Sequence, residues 1–151
     1  MSFVLKIAVG ALAAIAGFVV VTLWAPFGGG FDYASATLEE RQKFLEAKAR
    51  YFTHGYRLTA GRASEITSSY ADAEIDLVSF SVKMNDIGAG PINAAGLEKF
   101  RTLLLKTNCN LSERKLLTET DYTMRIRYFR KTGGKLFQVD VNGETCAPYI
   151  A

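Results

Sequence analysis

The sequence predicts an α+β protein: a single N-terminal transmembrane helix, then a small domain ordered helix, strand, helix, strand, strand. Three observations lead to this fold class. The chain begins with a run of 19 residues without a charge, 7–25, and no charge lies between Lys6 and Asp32. Further along, helical and alternating apolar spacings follow one another. The last two alternating runs are separated by a glycine-containing turn, which predicts an antiparallel hairpin at the end of the domain.

Residues 7–25 have the length of a membrane span. At 1.5 Å per residue they would extend about 28 Å, close to the thickness of the hydrocarbon core of a bilayer. The run is longer than the apolar part of a signal peptide, and Pro26 directly follows it. We therefore expect an uncleaved signal anchor, with a cleaved signal peptide as the alternative.

The flanking charges predict the orientation of this helix. Lys6 precedes it, whereas acids come first after it, so the positive-inside rule places residues 1–6 in the cytoplasm. Pro26 and three glycines predict a flexible tether over residues 26–36, and residues 37–151 form the exported domain. We expect a bacterial inner-membrane protein with a periplasmic domain. The aromatic residues suited to the far membrane interface are Trp24, Phe27, Phe31 and Tyr33.

The first helix of the domain begins at a capping box, with Thr37 as N-cap and Glu40 three residues later. Gly55 is expected to end it. Its apolar residues follow helical spacing and predict one buried face, formed by Leu38, Leu45, Ala49, Phe52 and Tyr56.

The middle of the chain contains one strand and a second helix. Residues 64–72 are small and polar and predict a loop or a short helical turn. Alternating apolar residues predict a strand over 75–84, with a bulge or change of partner near Leu77. Asn93 is expected to cap a helix that runs to about residue 107. Its core residues are Leu97, Phe100 and Leu104, flanked by Leu103.

Two strands with alternating apolar residues, 122–128 and 137–141, close the domain around a turn at 131–134. Cys109 and Cys146 belong to no C-x-x-C pair. In an exported domain they predict a disulfide between the second helix and the end of the last strand, worth roughly 3–4 kcal/mol. Two buried free thiols are the alternative.

The polar residues predict no catalytic centre, metal site or cofactor. His54 is the single imidazole and has no evident acid or base partner, so we expect it to interact with carbonyl groups at a helix end. Asp72, Glu74 and Asp76 alternate, and a solvated strand edge is favoured over a calcium site. Residues 88–90 are favoured as a plain turn over a phosphate loop, because Pro91 removes an N–H group.

Two surfaces are predicted to bind partners. Small residues at helical spacing in the anchor, Gly10, Ala14 and Gly17, form a helix-packing face or are ordinary filler. The second surface is a basic patch on the terminal hairpin, suited to lipid or to an acidic partner. Solubility and edge protection are its alternative explanation. The residues of this patch are Arg125, Arg127, Phe129, Arg130 and Lys131, with Lys135 beside them.

Together these features predict a non-catalytic, single-pass accessory or assembly subunit of a larger bacterial inner-membrane complex. Its partners would be integral membrane subunits and membrane lipid, with nucleic acid excluded by the compartment. A membrane-tethered periplasmic binding module or enzyme acting on lipid or cell-wall polymer is the alternative.

Overall fold

The computed structural model describes residues 31–59, 63–87, 90–109 and 113–150. They form an α+β domain around a four-stranded mixed sheet, which confirms the predicted fold class of this part of the chain. No helix among the described residues has the length and apolar character to cross a membrane. The predicted anchor 7–25 and the helix-packing face lie outside them.

The elements occur in the order α1, β1, β2, α2, α3, β3, β4, α4. Their bounds are α1 Leu38–Thr59, β1 Ser64–Asp72, β2 Leu77–Met84, α2 Ala94–Asn108, α3 Arg114–Glu119, β3 Thr123–Arg130, β4 Lys135–Val141 and α4 Gly143–Ile150. The strands lie side by side in chain order. β1 and β4 pair antiparallel with their neighbours, whereas β2 and β3 are parallel. The parallel pair requires the crossover that α2 and α3 supply.

The register of the sheet separates a core face from an open face. Val78, Phe80 and Val82 of β2 are in register with Met124, Ile126 and Tyr128 of β3, and all six are buried. Helices cover this face on both halves of the sheet: the Phe52 ring of α1 lies 4.1 Å from Phe80, and the Phe100 ring of α2 lies 5.4 Å from Tyr128. The intervening side chains, including Arg125 and Arg127, point to the other face.

The capping box at the start of α1 is confirmed. The Thr37 N–H donates to a Glu40 carboxylate oxygen at 2.8 Å, and the Glu40 N–H donates to the Thr37 hydroxyl at 3.3 Å. Two predictions for this helix are wrong. α1 continues past Gly55 to Thr59, and Leu38 is 54% exposed because it lies at the first residue of the helix, beyond the sheet it would have to cover.

Residues 64–72, predicted as a loop or short helical turn, form strand β1. Its small polar side chains suit a strand at the edge of the sheet. Without an alternating apolar pattern, this strand is held in place by its backbone hydrogen bonds to β2. The predicted irregularity near Leu77 is also misplaced. The register shift lies in β1, between Ile66 and Ser68, and Ile75 belongs to the turn between the two strands.

The predicted cap of the second helix is confirmed, because Asn93 Oδ1 accepts from the Ala95 N–H at 2.9 Å. The terminal hairpin is also confirmed as the antiparallel pair β3 and β4. Its turn contains Gly133 at φ +101°, a conformation that favours glycine.

The hairpin does not end the domain, because helix α4 follows it. Neither α4 nor α3, which precedes the hairpin, was predicted. The start of α4 is stabilised by Asn142 Oδ1, which accepts from the Thr145 N–H at 3.0 Å. This capping pattern is visible in the sequence, but Pro148 within the following residues argues against a helix there.

Candidate functional site

The expected disulfide between Cys109 and Cys146 is confirmed, with an S–S distance of 2.16 Å. Both sulfur-bearing residues are buried. The bond joins the residue after α2 to α4, rather than to the end of a strand as predicted, because the chain continues beyond β4 as a helix. The disulfide therefore fixes the C-terminal helix α4 to the crossover that connects β2 and β3.

A partly buried hydrogen bond joins the chain before α1 to the turn between β1 and β2. The Tyr33 hydroxyl donates to Asp76 Oδ1 at 2.7 Å, and Tyr33 is only 4% exposed. Asp76 has φ +50°, a left-handed conformation that Asp adopts more readily than most residues. Burial, and then the hydrogen bond to Asp76, raise the pKa of Tyr33 well above its usual range. The hydroxyl therefore stays protonated as a donor at neutral pH.

Arg41 strengthens the same contact. Its Nε donates to the Tyr33 carbonyl at 3.1 Å, and Nη2 donates to the Ala34 carbonyl at 2.8 Å. Nη1 lies 3.7 Å from Asp76 Oδ1, and the guanidinium carbon is 5.1 Å from the centre of the Tyr33 ring. We call Tyr33, Arg41 and Asp76 the junction.

The residues next to the junction are also packed onto the domain. The Phe31 ring stacks on Phe44 of α1 at 5.0 Å, and Asp32 lies 3.8 Å from Lys115. Tyr33 is therefore a core residue and not the membrane-interface residue expected from the sequence. Residues 31–36, assigned to the tether, contact the domain, and the remaining tether residues 26–30 lie outside the described part of the chain.

The sheet has two opposite ends. The turn 73–76, the start of β3 and the end of β4 lie at one end, which we call the proximal end because the junction is there. The turn 131–134 lies at the other end, which we call the distal end. Seven residue steps along β2 separate them, about 23 Å at the usual rise of a strand.

The basic patch predicted on the hairpin divides into two parts. Arg125 is paired within the open face, since its Nε and Nη2 donate to the two carboxylate oxygens of Asp140 at 2.9 Å each. This pairing lowers the pKa of Asp140 from its usual value. Arg127 Nη2 donates to Ser79 Oγ at 3.4 Å. Phe129 is half-buried on the same face, opposite Lys83.

The other cations lie at or near the distal end. Arg130 Nη1 donates to the Gly90 carbonyl at 2.7 Å, and Lys131 is exposed in the turn. Exposed Lys135 and Arg101 both contact Gln138, the lysine at Oε1 and the arginine at the carbonyl oxygen. We call the set Arg101, Arg130, Lys131 and Lys135 the distal basic surface.

Arg101 was not predicted as part of this surface. Arg101 belongs to α2, and only the packing of that helix beside β4 brings it to the hairpin. Acids are present at this end as well. Glu65 pairs with Lys83 at 2.5 Å, and Asp86 is exposed.

The remaining sequence candidates lie apart from one another. His54 is exposed within α1 and not at its end, because the helix is longer than predicted. Asp72 accepts from the Tyr70 hydroxyl at 2.7 Å, whereas Asp76 belongs to the junction. Within the described ranges no three His, Cys, Asp or Glu side chains are grouped to hold a metal. Residues 88 and 89 of the glycine turn lie outside those ranges.

No known protein family, curated protein or solved structure matches the chain. A shallow groove also runs along α2, where Thr102 and Leu103 are among the lining residues. The junction and the distal basic surface lie in opposite halves of the domain.

Proposed function

We propose that the protein is a non-catalytic, single-pass accessory or assembly subunit of a larger bacterial inner-membrane complex. The observation that carries the proposal is the junction. It attaches the chain that follows the predicted anchor firmly to the sheet, through the Tyr33 hydroxyl and the Arg41 guanidinium. Because residues 31–36 are packed onto the domain, only residues 26–30 separate it from the predicted anchor. A domain attached this way is held close to the membrane, as expected of a subunit that contacts a membrane-embedded neighbour.

The distal basic surface is our candidate for the contact with the partner. It lies about a strand length from the junction, so it points away from the membrane that the anchor would span. This favours an acidic periplasmic surface of another subunit over the lipid considered for the hairpin. Charge complementarity of this kind increases the rate and selectivity of association, and it weakens as salt rises.

Extraction of the full-length protein from its native membrane in a mild detergent tests the proposal. Native electrophoresis and mass spectrometry should recover a complex that contains an integral membrane subunit with acidic periplasmic segments. Lys131→Glu with Lys135→Glu should reduce its recovery strongly. The charge-matched control, Lys106→Glu with Arg114→Glu, changes exposed cations elsewhere and should not. Recovery of the wild-type protein only as a monomer would contradict the proposal.

The anchor is the second proposed contact. On a helix with 100° per residue, Gly10, Ala14 and Gly17 fall on one side, where small side chains let a partner helix approach closely. Gly10→Leu with Gly17→Leu should therefore weaken recovery of the complex. Ala8→Leu with Ala16→Leu, on the other side, is the control of similar size. Equal recovery of both variants would refute this packing face.

A further inference from the structure

Four large apolar side chains are exposed at the proximal end of the domain. Among the described residues, those with more than two fifths of their surface exposed are Phe31 at 41%, Leu38 at 54%, Tyr70 at 56% and Ile75 at 60%. Single exposed apolar residues are normal on a soluble domain, whereas a group marks a contact with lipid or protein. We call these four residues the proximal apolar surface.

Their places in the fold bring them to the proximal end, around its rim: Tyr70 is in register with Ser79 and lies on the open face, whereas Leu38 belongs to α1 on the core face. Ile75 precedes Asp76 in the turn 73–76, and the Tyr70 hydroxyl donates to Asp72 at the end of β1. Leu38 lies one helical turn before Gln42, whose side-chain amide binds the Ala71 carbonyl at 3.0 Å and the Ala73 N–H at 2.8 Å. Leu38 therefore lies beside the same turn, at its outer side.

Phe31 connects this surface to the rest of the chain. It stacks on Phe44 at the point where the preceding 30 residues join the domain. Six residue steps separate it from Ala25, the last residue of the predicted anchor, and a fully extended chain would cover at most about 21 Å over that length. A domain on so short a connection lies close to the bilayer, with its proximal end nearest.

The charges at the proximal end are compatible with such a position. Asp32 lies 3.8 Å from Lys115, and Glu39 lies 2.6 Å from Lys43. Asp76 lies close to Arg41 within the junction. These three carboxylates face cations, so they reach lipid headgroups as ion pairs; exposed Glu74, beside Ile75, and exposed Asp121 also lie at this end and remain in the aqueous layer. The distal basic surface, in contrast, lies in the opposite half of the domain.

We propose that the proximal apolar surface lies in the interfacial layer of the bilayer that the N-terminal anchor spans. This inference rests on the proposed membrane anchoring and deepens it, because it states which side of the domain faces the lipid. Leu38 and Ile75 enter the headgroup region, and the Phe31 and Tyr70 rings contact it as interfacial aromatic residues do. The distal basic surface then faces away from the membrane, toward a partner.

Site-specific fluorescence of the full-length protein in vesicles of phosphatidylethanolamine and phosphatidylglycerol tests this orientation. Ile75→Cys carries an environment-sensitive dye, and Lys131→Cys in the distal turn is the matched control. Both native cysteines are joined in the disulfide, so the new thiol is the one to label. Nitroxide groups on the lipid headgroups should quench the dye at position 75 several-fold more than at position 131. Leu38→Cys is a second exposed site and should behave like Ile75→Cys.

The outcomes separate this inference from the proposed function. Failure of the wild-type protein to float with vesicles contradicts the membrane anchoring itself. Flotation with equal quenching at positions 75 and 131, or with stronger quenching at 131, overturns the orientation alone. A dye at position 75 that is shielded from water but not quenched by nitroxide lipid also overturns it, and shows that a protein surface or a second copy covers this end.

Discussion

Tyr33→Phe removes the hydroxyl that joins the chain before α1 to the turn between β1 and β2. Hydrogen bonds to a charged group contribute about 1.5–3 kcal/mol when the site is shielded from water. Here the tyrosine is 4% exposed and the Asp76 side chain 15% exposed, so shielding is substantial. Arg41 remains 3.7 Å from the carboxylate, which limits the cost of losing one donor. We expect the free energy of unfolding to fall by about 2 kcal/mol.

Variants at Asp76 separate the hydrogen bond from the backbone conformation. Asp76→Asn keeps an acceptor oxygen and tolerates φ +50°, so it should cost less than about 1 kcal/mol. Asp76→Gly also tolerates this conformation but leaves the Tyr33 hydroxyl without its acceptor, and should cost about 2 kcal/mol. Combined with Tyr33→Phe, the glycine variant should cost clearly less than the sum of the two single changes, with a coupling of about 1–2 kcal/mol.

Equilibrium urea unfolding of the full-length protein in a mild detergent, followed by near-ultraviolet circular dichroism, measures these values. Tyr70→Phe is the matched control, since it deletes the same atom from a hydroxyl that is bound to Asp72 on the exposed edge strand. That change should cost no more than about 0.5 kcal/mol. A Tyr33→Phe variant as stable as Tyr70→Phe, or additive costs in the double variant, would refute the importance of the junction.

Three further predictions concern the rest of the domain. Replacing both Cys109 and Cys146 by Ala should lower the free energy of unfolding by about 4 kcal/mol, from the loop-closure entropy of 37 residues of separation. A urea midpoint of the double variant equal to that of the wild type would contradict the role of the disulfide. Alkylation of both cysteines of the wild-type protein without reductant would also contradict it. Because the native pKa of Asp140 is lowered from 3.8, its stabilisation is present at neutral pH and lost as pH falls through that native value. Asp140→Asn should therefore be less stable than wild type at pH 7, and the difference should shrink as the pH falls through the lowered native pKa of Asp140; an unchanged difference in urea midpoint would contradict this. A Cβ atom at Gly143 would collide with a backbone carbonyl in the last turn of α3, so Gly143→Ala should lower the free energy of unfolding by about 1–3 kcal/mol. Gly90→Ala is the control: its Cβ would contact no neighbouring atom, so the urea midpoint should not fall.

Prediction from sequence succeeded where local chemistry decides the structure. The Thr37 capping box and the Asn93 cap require only residues two or three positions apart. The alternation from Met124 to Tyr128 identified β3, since each second residue meets the same core. The pairing of Cys109 with Cys146 followed from there being two cysteines in a chain expected to be exported.

Prediction failed where long-range contacts decide. β1 has few apolar residues, and its order comes from hydrogen bonds to β2. α4 forms in spite of Pro148, because Cys146 and Ile150 are buried in the core. Tyr33 was assigned to the membrane interface because its distant acceptor, Asp76, could not be anticipated from the sequence.

The sequence by itself determined that an uncharged run of membrane-spanning length precedes an α+β domain, and that this domain contains an antiparallel hairpin near its end. Composition and spacing are enough for this, because hydrophobic periodicity reports which side of each element is buried. Only the tertiary structure decided which charged and apolar side chains remain exposed for binding. It paired Arg125 with Asp140, brought Arg101 beside the hairpin, and gathered Leu38 and Ile75 at the junction. These side chains are far apart in the chain, and the strand pairings and helix packing of the folded domain determine where they lie.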